Sequence, residues 1–147
     1  MIYQLNLNPK QARVVIEALD VLTRIGMGQL EIVAEHVPED DRYAPDTPVA
    51  IRCRQLDQVK AALQQAKHAI GQPVGGSYGI GNPKTTQESK IAYDIECVLR
   101  RAVAIEEHHG SHSVWHHLPM HYGTEPLVTV GVIDTVRGEG PVNREAR

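Results

Sequence analysis

The residues best suited to chemistry are the glycines of GQPVGGSYGIGNPK, Gly71 to Lys84. A residue without a Cβ lets its backbone N–H approach an anion closely. A helix starting just beyond would add unpaired donors and a positive dipole end, and Thr85-Thr86-Gln87-Glu88 reads as its capping box. The chemistry expected of such a loop is phosphate binding. Lys84, Lys90, Arg100 and Arg101 supply positive charge on or near the element, and the Tyr78 ring can stack on a base. Gly76, Gly79 and Gly81 spell GxxGxG rather than GxGxxG, and no Lys-Thr pair directly follows the last glycine. Nucleotide hydrolysis of the Walker type is therefore unsupported. The competing reading is a connector whose glycines only serve turns.

Six of the eight histidines, His108, His109, His112, His116, His117 and His121, crowd into one short stretch. That density invites a metal, yet HHGSHSVWHH has neither the HExxH spacing nor a nearby cysteine, so no metal and no cofactor is expected. Glu31, Asp94, Glu106 and Glu107 are carboxylates that acid–base chemistry would need, but no spacing pairs them. Lys90 and Asp94 read as an i,i+4 surface pair. With no GxSxG elbow and no Cys–His motif, no catalytic residue is assigned. Cys53 and Cys97 read as small apolar residues in a reducing compartment.

These groups must be held by a small fold. The chain has 147 residues, 41% of them apolar and 22% charged, which suits one domain over 1–136 with a flexible tail at 137–147. Its 15 basic against 18 acidic residues leave no general basic field for duplex nucleic acid. There is no bilayer-length apolar run, and MIYQLNLNPK lacks the regions of a secretory signal, so the chain reads as cytoplasmic. Ile2 to Leu7 alternates like a strand, and Asn8-Pro9 with Gln11 starts a helix. In that helix Val14, Val15, Ala18, Leu19, Val21, Leu22 and Ile25 share one sector, opposite Arg13, Glu17, Asp20 and Arg24. Gly26 and Gly28 mark a kink or reversal near Met27. Pro38 to Pro48 reads as a solvated loop. A second helix carries the stripe Leu56, Val59, Leu63, Ala66 and Ile70, and stops at Gly71. A third runs from Thr86 to about Glu107 on Ile91, Ile95, Val98, Leu99, Ala102 and Ile105. SVWHHLPMHY and LVTVGVI, split by Gly123 to Pro126, read as a hairpin. The expected class is α+β: an N-terminal strand, three main helices and a C-terminal β-hairpin.

Three segments taken together, RIGMGQLE at 24–31, SYGIGNPKTTQESKIAYDIECVLR at 77–100 and MHYGTEPLVTV at 120–130, resemble a group of small phage and prophage proteins, and within it the Thoeris anti-defence sponges. The resemblance implies a small α+β homo-oligomer. It implies a protein that traps cyclic ADP-ribose isomers made by bacterial TIR-domain defence enzymes, and in some members cyclic oligonucleotides, in pockets between protomers and without turnover. Carried over by motif, Met27, Gln29, Leu30 and Glu31 would form one pocket wall, and Tyr78, Gly79, Ile80, Gly81 and Asn82 the other. Lys84 and Arg100 or Arg101 would serve phosphate. Leu30 stands where an aromatic is common in the family, which leaves the bound isomer open. The alternatives are a metal-dependent hydrolase using His108–His121 and a phage protein-interaction module.

Overall fold

The structure, a computed structural model, describes residues 3–36, 49–72, 75–108 and 120–131. The described residues form helices α1 (Pro9–Gly26), α2 (Val49–Ala69) and α3 (Gln87–His108), with a short 3-10 helix, Leu30–Glu35, following α1. Among the described residues there is no strand, so the expected α+β class is corrected to a helical one. Alternating side chains give a segment two faces, but only a paired ladder makes it a strand. Tyr3 to Asn8 and Met120 to Gly131 find no such ladder among the described residues. Residues 113–119 of the expected hairpin, the chain beyond Gly131 and the Pro38–Pro48 loop lie outside the described residues.

The start of α1 follows its sequence closely. Asn8 caps the helix: its Oδ1 accepts from Gln11 N and its own N–H donates to Gln11 Oε1, both at 2.9 Å, with Pro9 at the first helical position. The helix stops at Gly26, and Gly28, at φ 84°, takes the left-handed conformation that turns the chain into the 3-10 helix. The expected break near Met27 is present.

Helices α1 and α3 pack antiparallel, with Thr23 against Ser89 at one end and an Arg13–Glu107 ion pair at the other. Their seam is built from small and polar side chains: Ala12 and Thr23 from α1, and Ser89, Ala92, Glu96 and Ala104 from α3 are all buried. Thr23 Oγ1 donates to Ser89 O at 3.3 Å, and Ser89 Oγ donates to Leu22 O at 3.4 Å. The sector expected to face the core does not do so, since Val14 is 64% and Leu22 45% exposed. Small side chains let two helix backbones approach closely, and α3 takes the face of α1 that offers them.

Helix α2 packs on the 3-10 helix rather than on α1 or α3. Lys60 Nζ donates to Glu35 Oε1 at 2.9 Å across that contact. Its apolar stripe is largely open, with Leu56, Val59 and Ile70 exposed. No helix among the described residues is long and apolar enough to cross a membrane.

Glu96 carries a pH signature. Burial holds its carboxyl above the ordinary carboxylate range, with the Arg100 guanidinium opposing the shift. The folded chain therefore binds this proton more tightly than the unfolded chain. Its contribution is fully present below the ordinary carboxyl range and is lost as pH rises through the raised folded value. Glu96→Gln is expected to match the wild type in acid and to gain on it as pH rises toward neutrality, which urea unfolding across that range reads directly. Variants that track the wild type at every pH would contradict this.

Candidate functional site

Two of the sequence motifs meet at the end of α1. Met27, whose N–H is held by Thr23 O, offers its own carbonyl to Tyr78 N at 2.8 Å. Gln29 Nε2 donates to Ser77 Oγ at 3.4 Å, while Gln29 Oε1 accepts from Arg24 at 3.3 Å. The structure thus brings Met27, Gln29, Leu30 and Glu31 beside Tyr78 and the glycine loop. Leu30 opens the 3-10 helix and is half-buried, as is Ile80.

The loop is pinned from inside by its own polar groups. Asn82 N donates to Gly79 O at 2.9 Å and Thr85 N to Asn82 O at 3.0 Å. Asn82 Oδ1 accepts from Lys84 N at 2.9 Å, and buried Thr85 donates its hydroxyl to Gly79 O at 3.0 Å. Asn82 therefore shapes the turn. The helix cap sits one residue later than the sequence suggests, because Thr86 Oγ1 accepts from Ser89 N at 3.2 Å. Among the described residues no acceptor takes the amides of Gly79, Ile80 or Gly81, so three successive donors remain for an anion. Lys84 Nζ stands 5.4 Å from the Tyr78 ring centroid, a cation–π contact that sets a positive charge beside them.

The third motif closes one side. The Tyr122 ring lies over Gly81, with Cε1 3.4 Å from where a Cβ would stand, and packs edge-on against Tyr93 at 5.6 Å between centroids. Asp94 anchors this segment. The buried Asp94 carboxylate accepts from Tyr122 N at 3.0 Å and from Gly123 N at 2.6 Å. His121 Nε2 sits 3.6 Å from Asp94 and 2.7 Å from Glu125 O. The expected surface pair of Asp94 with Lys90 is replaced by this buried anchor, since two backbone amides are better partners for an enclosed carboxylate than one mobile ammonium. Asp94→Ala leaves both amides without an acceptor and is expected to cost about 2–3 kcal/mol. Faster hydrogen exchange at Tyr122 and Gly123, together with a lower Tm, would register it; unchanged exchange at both would refute the anchor.

Arg100 and Arg101 are not gathered at the loop. Both follow along α3, and Arg100 stands about 20 Å beyond Thr86 at a rise of ~1.5 Å per residue. Arg100 pairs with Glu96 and lies 4.0 Å from Asp20. Cys97, half-buried, has its thiol pushed up to about 11 chiefly by burial, which removes it as a nucleophile at neutral pH. No group of three or more potential metal ligands occurs among the described residues; His109–His117 and the His108 side chain lie outside them.

Beneath the loop sits a residue that pattern reading misses. Lys67 of α2 is fully buried, donates to Gly76 O at 2.7 Å and lies 3.6 Å from Glu31 Oε2. In QQAKHA it reads as a solvent-facing lysine, and nothing in the spacing marks it. Tyr122 lies inside a motif segment with no role assigned to it, and Asp94 reads from the sequence as an unpaired carboxylate or a surface partner of Lys90.

No protein-family model, curated protein or solved structure matches the chain.

Proposed function

We propose that the chain binds and sequesters a cyclic ADP-ribose-type signal in the cytoplasm of a bacterial host, without cleaving it, as a phage anti-defence protein. A cyclic oligonucleotide is the related ligand of the same reading. The observation that carries it is the 2.8 Å bond from Tyr78 N to Met27 O, which joins two motif segments read separately in the sequence. The joined element presents unpaired loop amides, one cation and two tyrosine rings, Tyr78 and Tyr122. Amides and a cation suit a diphosphate, and a ring suits a base. In this reading the guest is held and released unchanged.

The reading includes a homo-oligomer. Among the described residues the buried hydrophobic side chains are all alanines, while Val14, Leu22, Val59 and Ile70 stand exposed on helix faces. Exposed apolar side chains on helix faces support an association of copies. A neighbouring copy would also be the source of an α3 arginine, since Arg100 of the same chain is a helix-length away from the loop. Native mass spectrometry of protein purified from cells producing the TIR signal tests both parts. Expected is an oligomer carrying the mass of an intact cyclic nucleotide; a ligand-free monomer would refute the proposal. The same exposed faces favour a second reading, a protein-interaction module, which a host-protein complex with no small molecule bound would support.

A further inference from the structure

The polar cluster under the loop is incomplete. Lys67 Nζ has three N–H donors, and Gly76 O takes one of them at 2.7 Å. Glu31 Oε2, at 3.6 Å from that nitrogen, is too far for a hydrogen bond; it is enclosed and accepts none. Gln72 Oε1 is likewise enclosed without a donor. It lies over Gly28, 2.8 Å from where a Cβ would stand, which brings it onto the same 28–31 segment as Glu31. Two buried acceptors without donors are unfavourable, and donors from a water or from a bound guest would relieve them.

Resting on the nucleotide reading above, we infer that Glu31, Gln72 and Lys67 form the subsite for the neutral, donor-bearing end of the guest, its nucleoside, and not for phosphate. Two oxygens, one of them a carboxylate, repel an anion and call for a pair of hydrogen-bond donors, while the remaining ammonium protons call for an adjacent acceptor. A 6-aminopurine edge supplies an amine beside a ring nitrogen. A ribose cis-diol supplies two hydroxyls that both donate and accept. Phosphate is left to the free amides of Gly79 to Gly81 and to Lys84, so the guest has one orientation. Entry needs a side-chain rotation: Gln72 lies past the end of α2, and the Glu31 side chain is 34% exposed.

The test is calorimetric titration of the full chain with adenosine, inosine, 2′,3′-dideoxyadenosine and inorganic pyrophosphate. Adenosine is expected to bind, and Gln72→Leu or Glu31→Gln to weaken it about five- to tenfold while leaving pyrophosphate unchanged. Inosine lacks the amine and dideoxyadenosine lacks the diol; whichever of them binds more weakly identifies the donor pair. The wild-type titrations keep the test decisive if a variant fails to fold. Three equal nucleoside affinities, or no adenosine binding at all, would leave the cluster holding an internal water only and overturn the inference. Capture of cyclic ADP-ribose without adenosine binding would sink this subsite alone. Adenosine binding without that capture would sink the proposed function and leave the subsite standing.

Discussion

Gly26→Ala is expected to destabilise the protein by about 3 kcal/mol, the upper range for overpacking a closed seam. A Cβ at this position would stand 1.7 Å from Ser89 Oγ and 2.5 Å from Ser89 Cβ. No rotation of Ser89 clears its own Cβ, so α1 and α3 must separate. Separation would break the bonds from Thr23 Oγ1 to Ser89 O and from Ser89 Oγ to Leu22 O. It would also displace Met27, whose carbonyl holds Tyr78, so ligand binding should weaken together with stability. Urea unfolding measures the first effect. A loss below about 0.5 kcal/mol, the range of an ordinary surface change, would show that the helices do not cross this closely.

Lys67→Met ranks next. Methionine keeps the length of the side chain and removes the ammonium, so packing is largely conserved while Gly76 O loses its donor and Glu31 its counter-charge. Breaking one side of a buried pair costs about 3–5 kcal/mol; because Glu31 is partly exposed, about 2–3 kcal/mol is expected here. The effect should be local as well as global. Gly76 fixes the approach to Ser77 and Tyr78, so the loop should open at the point where it meets Met27. A lowered Tm with fast exchange of the Tyr78 amide would be the signature. A Tm equal to the wild type would mean that Lys67 is not enclosed. Lys67→Arg, which keeps the charge but not the shape, is expected to fall between the two.

Local signals were legible in the sequence wherever the physics was local. The Asn8–Gln11 box, Pro9, the break near Met27 and the stop at Gly71 all depend on a few neighbouring atoms, and all are present. The α3 cap was displaced by one residue because Thr85 and Thr86 are chemically equivalent; only the tertiary contact with Gly79 O decides which of them turns inward. The strands failed for a different reason. Tyr3 to Leu7 and Leu127 to Val130 have the pattern of strands, but pairing is a property of a partner, and the described residues provide none.

Burial was the least legible feature. Counting apolar residues favours Val14 and Leu22, whereas the seam selects Ala12 and Thr23 because close helix approach rewards small volume. Asp94, Glu96 and Lys67 are charged residues that the pattern sends to solvent, yet each is buried against a specific partner. Of the candidate site, the two walls at 27–31 and 78–82 were readable as motifs, and the chain brings them together through one backbone bond. The arginines share the helix that follows the loop, but a helix of this length carries them away from it.

The most direct test of ligand sequestration is capture and release. Purified protein is incubated with cyclic ADP-ribose isomers, freed of unbound ligand, and heated to unfold it, after which the released compound is identified by mass. Recovery of the intact cyclic molecule in stoichiometric amount is the expected result. Failure to retain any isomer, or release of a linear product, would contradict it.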